Sequence, residues 1–192
     1  CEAILQAWYP GQAGGQAVAE VLFGDYNPAG KLPLTFYRNL AQIPDFEDYN
    51  MTGRTYRYMK ETPLFPFGHG LSYTTFKYGK LKMNDDKIAA GQNLNLVIPV
   101  TNTGSRDGDE VVQVYLKKKD DTEGPVKTLR AFKRVRIPAG KTVEVKFSLD
   151  DTQLEWWDEQ SNTMRVCPGN YTVMIGGTSC EKSLLSRAFT IR

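Results

Sequence analysis

The chain has 192 residues, of which 41% are hydrophobic and 24% charged, as in an ordinary globular protein. Its formal net charge is only +2, and no run of lysine or arginine exceeds a few residues, so the composition gives no support for a nucleic-acid partner. No apolar stretch reaches membrane-spanning length, and the sequence therefore predicts no membrane partner either.

The first part of the chain is predicted to be the end of an α/β domain. Residues 3–8 form an apolar run typical of a buried strand. Residues 14–23 carry apolar side chains at helical spacing, and Gly24 follows them as a helix-ending glycine. With a second short strand at residues 32–36, these elements form a β-α-β unit, which belongs to a parallel sheet. Because the apolar run begins almost at the first residue, we expect the chain to start inside a domain.

Residues 53–76 are rich in aromatic residues, glycine and proline, and show no helical or strand period. Glycine and proline interrupt regular elements, so this stretch cannot fold around a core of its own. Its aromatic side chains must be buried elsewhere. We therefore expect an ordered loop that lies across a neighbouring surface.

From residue 78 onward the sequence predicts an antiparallel sandwich. Short runs of β-branched and aromatic residues alternate with turn signals, and about seven strands in roughly 115 residues are typical of an immunoglobulin-like fold. The predicted strands are residues 79–83, 94–102, 110–118, 126–137, 142–149, 170–176 and 184–191. Trp156 and Trp157 are expected to pack in the core or at its rim.

The three cysteines predict neither a disulfide nor a metal site. Cys167 and Cys180 flank a predicted strand, which would hold them roughly 40 Å apart, far beyond disulfide reach. Cys1 lies at the start of the chain, and no metal-ligand spacing or cofactor motif is present. The sequence thus implies no cofactor.

Three blocks of sequence resemble glycoside hydrolase family 3. They are WYPGQ at residues 8–12, followed by LFGD at 22–25; NPAGKLP at 27–33; and PFGHGLSY at 66–73. Further along, LRAFKRV at residues 129–135 and PGNY at 168–171 resemble the fibronectin type III-like domain that closes many members of this family.

This resemblance implies an α+β fold class with two parts. Residues 1–77 would be the carboxyl-terminal end of the family's α/β sandwich domain, a partial β-α-β segment with the long aromatic loop. Residues 78–192 would be an immunoglobulin or fibronectin III-like antiparallel β-sandwich. The remaining partners would be the barrel and the rest of the α/β domain of the same protein, with an oligosaccharide substrate in the complete enzyme. Secretion or a periplasmic location is expected from the family alone.

Family members hydrolyse glycosides with retention, using an aspartate nucleophile and a glutamate acid/base. The resemblance places both carboxylates before this chain, and no residue here matches either motif. We therefore expect no catalytic residue in the chain, which alone would be inactive. The GRTYRY block at residues 53–58 resembles β-xylosidase and α-arabinofuranosidase members more than β-glucosidases, so a β-xylosidase is expected.

Five residues are candidates for substrate binding. Tyr9 follows a predicted strand, at the end where α/β sheets place ligand crevices. Arg54, Tyr56 and Arg57 offer planar donors and an aromatic face that suit sugar recognition. His69 is the sole histidine, but it lies between two glycines and has no nucleophile motif nearby. For the loop residues, pinning the loop in place is the favoured interpretation.

Two alternatives remain open at this point. The parent protein could be a β-glucosidase of the same family. The sandwich could instead be a non-catalytic carbohydrate-binding or interaction module, although the predicted strands show no clear row of exposed aromatic residues. The acidic residues Asp45, Glu47 and Asp48 are interpreted as a solvated loop.

Overall fold

The computed structural model describes all residues, 1–192, and most of its regular structure is β-sheet. The helices are α1 (Gly14–Phe23), α2 (Thr55–Tyr58) and α3 (Asp151–Leu154), with short 3-10 turns at Leu40–Gln42 and Glu181–Ser183. The strands are β1 (Phe76–Tyr78), β2 (Lys82–Met83), β3 (Lys87–Ile88), β4 (Leu94–Asn102), β5 (Gly108–Lys118), β6 (Thr128–Ile137), β7 (Thr142–Leu149), β8 (Trp156–Asp158), β9 (Thr163–Arg165), β10 (Gly169–Gly176) and β11 (Leu185–Ile191).

Two antiparallel sheets form the sandwich. In the four-stranded sheet, β4 pairs with β7 along one edge and with the short strands β1 and β2 along the other. The five-stranded sheet has the order β3-β11-β10-β5-β6, and only the short pairing of β3 with β11 is parallel. The predicted α+β class with an antiparallel sandwich is thus confirmed.

The core of the sandwich follows from strand alternation. In β4 every second residue from Leu94 to Asn102 is fully buried, and the residues between them are exposed or half-buried. Across the sheet, Leu96 lies opposite Phe147 and Ile98 opposite Val145, so apolar side chains meet on the inner face. Each fully buried side chain of this kind stabilises the fold by about 1.5–3 kcal/mol.

Strand β5 is buried on both faces. Val112, Val114 and Leu116 point into the core, as alternation requires. Gln113 and Tyr115 point to the opposite face of the sheet, yet they are only 3% and 0% exposed. The aromatic loop covers them, which confirms that residues 53–76 lie across a neighbouring surface.

Helix α1 has the predicted bounds. Gly24 ends it in the left-handed conformation (φ 82°), and its N–H donates to the carbonyl of Val21 at 3.1 Å. The predicted apolar face is only partly covered, however, because Val21 is half-buried while Leu22 and Phe23 are exposed.

The two predicted strands beside α1 are not formed, and this part of the prediction is wrong. Residues 3–8 have no regular structure and are exposed, and of residues 32–36 only Phe36 makes a bridge, with Phe65. A strand needs a neighbour to satisfy its N–H and C=O groups, and no strand lies beside residues 3–8. An apolar run alone therefore did not produce a strand here.

Other boundaries shifted locally. The predicted strand 79–83 is replaced by β1 and β2, with a break at Gly79, where a Cβ would come 2.7 Å from Cγ of Pro99. The hairpin β8–β9 was not predicted as strands; it places Trp156 in the core and leaves Trp157 half exposed. Cys1, Cys167 and Cys180 are all free thiols. None of the helices has the length and apolar character required to cross a membrane.

Candidate functional site

Residues 53–73 pack on the outer face of the five-stranded sheet, and this contact is here called the seam. Tyr56 stacks on Phe67 with ring centroids 4.3 Å apart and meets Tyr115 edge-on at 5.9 Å. Its hydroxyl accepts a hydrogen bond from the backbone N–H of Leu129 at 3.1 Å. The carbonyl of Arg57 accepts another from Val126 N–H at 2.6 Å. Tyr56 is therefore an anchor of the loop.

The two glycines of the PFGHG segment are required by close approach. Gly68 has φ 77°, and a Cβ on it would lie 2.1 Å from Oε1 of Gln113. The side chain of Gln113 also donates to the carbonyl oxygens of Gly68 (3.3 Å) and Gly177 (2.7 Å). A Cβ on Gly70 would lie 2.1 Å from the carbonyl oxygen of Gly30. This segment therefore fits a docking role.

A buried ion pair joins the NPAGKLP segment to the sandwich. Lys31 Nζ lies 3.4 Å from Oε2 of Glu110, a residue only 4% exposed, and it donates to the carbonyl of Gly70 at 3.2 Å. The hydroxyl of Tyr78 donates to the other carboxylate oxygen at 2.8 Å. Burial raises the pKa of Glu110, while Lys31 and the Tyr78 hydrogen bond oppose that rise. Burial likewise raises the pKa of Tyr78.

His69 packs against the loop itself. Its ring stacks on Phe65 at 5.3 Å with an interplanar angle of 20°, and its backbone carbonyl accepts from Leu32 N–H at 2.8 Å. Burial, and to a lesser extent the charge of Lys31, lowers the pKa of His69 below its ordinary value of 6.5. No serine or cysteine hydrogen-bonds to its ring.

The two candidate arginines, Arg54 and Arg57, make different contacts. The Arg54 guanidinium donates to the backbone carbonyls of Asn50 (3.0 Å), Asp45 (3.4 Å) and Asp48, and so holds the loop of residues 45–50 together. Arg57 is exposed, with its guanidinium carbon 5.7 Å from the ring centroid of Tyr58. Tyr9, the fifth candidate, is fully exposed. Four of the five candidates lie in the loop of residues 53–73 and Tyr9 lies outside it, and the structure does not gather the five into one cleft.

The acidic loop is built from turns. Asp45 Oδ1 accepts from Glu47 N–H at 2.9 Å, and Asp48 Oδ1 accepts from the N–H (2.9 Å) and side-chain amide (2.7 Å) of Asn50. These bonds lower the pKa of Asp48. No group of three or more histidine, cysteine, aspartate or glutamate side chains is placed to hold a metal.

The remaining surface of residues 1–77 is strongly apolar. Most of the exposed large hydrophobic side chains of the chain lie there, among them Tyr9, Phe23, Leu40, Phe46 and Tyr49. Phe46 is 93% exposed. Monomeric proteins rarely expose contiguous apolar patches of this kind unless the patch is an interaction site.

Sequence reasoning missed the residues on which the sandwich side of the seam depends, namely Tyr78, Glu110, Gln113 and Tyr115. A signal was present in β5: a strand whose outer face faced water would carry charged residues there, whereas the middle of this one carries Gln113 and Tyr115 between apolar residues. That pattern indicates a strand covered on both sides.

Comparison with known proteins agrees with these observations. Residues 1–73 match the glycosyl hydrolase family 3 C-terminal domain, and residues 110–179 match a fibronectin type III-like domain. A protein named xylan 1,4-beta-xylosidase from Xylanibacter ruminicola is 52% identical over all of this chain, which spans 22% of that protein. A periplasmic beta-glucosidase from Salmonella typhimurium is 39% identical over 94% of the chain, which spans 25% of it.

Solved structures agree on the fold. Beta-glucosidase 3B from Thermotoga neapolitana, solved with α-D-glucose, is 33% identical, with a TM-score of 0.81 over 95% of this chain and 27% of that structure. The chain spans about a quarter of the length of each relative. The chain therefore joins a domain that matches the C-terminal domain of glycoside hydrolase family 3 to a fibronectin type III-like sandwich.

Proposed function

We propose that this chain is the carboxyl-terminal, structural part of an exo-acting retaining glycosidase that removes terminal non-reducing β-linked sugars. The favoured activity is β-D-xylosidase, with α-L-arabinofuranosidase activity as a second one. The observation that carries the proposal is the 52% identity, over the whole chain, to the relative named xylan 1,4-beta-xylosidase.

In that enzyme the chain would support the structure and would not supply the reactive carboxylates. Retaining hydrolysis needs two carboxylates about 5–5.5 Å apart beside the sugar. The one fully enclosed carboxylate described above, that of Glu110, is held by Lys31 and Tyr78, and Asp45 and Asp48 bond to backbone N–H groups of their own loop. These bonds support the proposal that the reactive acids belong to another part of the protein.

The apolar surface of residues 1–77 identifies the partner we propose for it. Residues 3–8 are exposed and unpaired and one side of α1 is uncovered, as expected for the edge of an incomplete α/β domain. The rest of the α/β domain and the barrel of the same protein would cover them. The seam contacts of Tyr56, together with the Lys31–Glu110 pair, would then fix that assembly to the sandwich.

Within the assembly the five candidates divide by exposure. Tyr56 and His69 are packed into the loop and would act by holding it. Tyr9 and Arg57 are exposed, and together with Arg54 they are the residues that could contact a sugar at the rim of the active site.

A chimera tests the structural role. The 192-residue chain should not release nitrophenol from nitrophenyl β-D-xyloside. A version of the Xylanibacter ruminicola relative that lacks its matching segment should be inactive as well, and replacing that segment with this chain should restore hydrolysis. Hydrolysis by the purified chain alone would contradict the proposal, because the carboxylates would then lie within it.

The second candidate is a β-glucosidase of the same family, favoured by the relative and the solved structure that carry that name. Rates of the complete protein on the nitrophenyl derivatives of β-xylose, β-glucose and α-arabinofuranose would distinguish the activities. We further propose a secreted or periplasmic location, which is supported by the name of the Salmonella typhimurium relative. Cell fractionation with an antibody to this chain would test it.

A further inference from the structure

An open groove runs along the free edge of β6, beside Leu129, whose N–H donates to the Tyr56 hydroxyl of the seam. Its volume is about 620 Å³, within the range of small-molecule sites. β6 contributes Arg130, Phe132 and Lys133, β7 contributes Phe147, and the segment around α3 contributes Asp150 and Gln153. Because β6 pairs only with β5, its other edge carries no strand.

A β-bulge places Arg130 in this groove. Val114 pairs with Ala131 and Tyr115 pairs with Leu129, so Arg130 is the extra residue without a partner on β5. Bulges at sheet edges turn a side chain away from the direction that strict alternation would give. The guanidinium consequently lies over the ring of Trp156, with its carbon 5.1 Å from the ring centroid.

Most donors of Arg130 are not used by the chain. Nη2 donates to the carbonyl of Glu155 at 2.8 Å, whereas Nε is buried and makes no hydrogen bond. No carboxylate forms an ion pair with Arg130. A guanidinium presents five N–H donors in a fixed plane that matches a carboxylate. Nη1 is neither fully buried nor hydrogen-bonded, so it is the donor left for an acceptor outside the chain.

The neighbouring side chains supply a second cation and an aromatic face. Lys133 Nζ contacts the carbonyl of Lys146 and lies 5.3 Å from the ring centroid of Phe147, again without a carboxylate partner. Phe132 is 64% exposed. Asp150 is the one acid in the groove, and its Oδ1 is occupied by the N–H and hydroxyl of Thr152. The groove therefore has two unpaired cations against one acid.

We propose that this groove binds a glycan that carries a carboxylate, that is, a chain containing a uronic acid. Arg130 takes the carboxylate, Lys133 adds a second positive charge, and the ring of Phe132 packs on a sugar face. The choice of a glycan over other carboxylates rests on the proposed function, in which the complete protein acts on sugars. The groove itself would bind without hydrolysis.

Calorimetric titration of the 192-residue chain tests the proposal. The probes are a xylo-oligosaccharide that carries one glucuronic acid branch, the unbranched oligosaccharide of the same length, and a glutamate-rich peptide of equal charge. We expect the acidic oligosaccharide to bind at least about tenfold more tightly than the other two, and its affinity to fall as salt is added.

Variants assign the effect to the groove. Arg130→Gln should reduce binding of the acidic oligosaccharide to that of the neutral one, and Phe132→Ser should weaken binding of both. Arg130→Lys keeps the charge and the aliphatic stem but not the planar guanidinium, and it should bind with an intermediate affinity. This variant serves as a control in case Arg130→Gln misfolds. Arg187→Gln is the matched control, since Arg187 is exposed on β11, three strands away in the same sheet.

Several results would overturn the proposal. They are equal affinity for the acidic and neutral oligosaccharides, tighter binding of the peptide, the same affinity in Arg130→Gln and Arg187→Gln, or no binding by the unmodified chain. None of these depends on hydrolysis, so a failed site and a failed glycosidase proposal are distinguishable. Activity of the chimera on nitrophenyl xyloside with no glycan binding by the groove would reject only the site.

Discussion

Gly68 and Gln113 touch so closely that no side chain fits between them. The position a Cβ would take on Gly68 is 2.1 Å from Oε1 of Gln113, and the Gln113 amide donates to the Gly68 carbonyl. The hydroxyl of Tyr115 donates to the same Oε1, which fixes the amide in place. At this point of the seam, the backbone of Gly68 and the side chain of Gln113 hold the loop against the sheet.

Gly68→Ala should therefore destabilise the chain by about 2–4 kcal/mol, since it combines overpacking with a left-handed backbone that alanine rarely adopts. Gly91→Ala is the matched control: Gly91 has nearly the same φ, 83°, but nothing lies within 4 Å of its Cβ position. That variant should cost only about 1 kcal/mol. Urea unfolding of both measures the difference, and equal losses would contradict the role assigned to the contact.

Tyr56→Phe removes the hydroxyl that accepts from Leu129 N–H while keeping both ring contacts. The expected loss is about 1 kcal/mol, together with faster proteolysis of residues 53–73. Tyr58→Phe serves as the control, because the Tyr58 hydroxyl makes no hydrogen bond with the chain. If the two variants are cleaved at the same rate, the Tyr56 hydroxyl does not anchor the loop.

The stability of the chain should respond to His69 between pH 7 and pH 5. Burial, aided by Lys31, lowers the pKa of His69, so the folded chain binds fewer protons than the unfolded chain. The stability contribution is complete above the unfolded pKa of about 6.5 and is lost as the pH falls through it. Relative to His69→Gln, the unmodified chain should lose free energy of unfolding over this range. If the free energies of unfolding of the unmodified chain and of His69→Gln change in parallel with pH, the His69 ring is not desolvated.

Glu110 should contribute a pH dependence of stability that is opposite in sign to that of His69. Burial raises its pKa, so the folded chain holds a proton that the unfolded chain has released, and this contribution is lost as the pH rises above the unfolded value of about 4.5. Glu110→Gln should therefore gain stability relative to the unmodified chain as the pH increases from 4 towards neutrality. Chemical unfolding at half-unit pH steps checks the slope; a loss of stability by Glu110→Gln relative to the unmodified chain as the pH rises would refute it.

The alternation of apolar and polar residues was sufficient to predict strands that pack one face against the core and expose the other to solvent. β4 and β7 have the predicted bounds because alternation in 94–102 and 142–149 is continuous. The pattern failed where pairing decides the structure. Residues 3–8 look like a strand but have no neighbour, and β9 has only exposed residues, so its hairpin with β8 left no apolar signal.

The candidate site was predictable only in part. The glycines of residues 66–73 signalled close approach, but their partners, Gln113 and the Gly30 carbonyl, are distant in sequence. The pairing of Lys31 with Glu110 likewise depends on tertiary structure. A bulge at Arg130 leaves no mark in composition or period, so the groove on β6 was also invisible at that level.

Because β5 is covered on both faces, opening of the loop at residues 53–73 is coupled to the stability of the sheet. Gln113 and Tyr115 stay dry only while residues 53–73 are seated, so release of the loop hydrates the middle of a central strand. Opening of the loop is therefore coupled to exposure of β5. Amides of the loop anchors and of β5 should consequently exchange with deuterium in one cooperative event, even though they belong to segments that match two different domains.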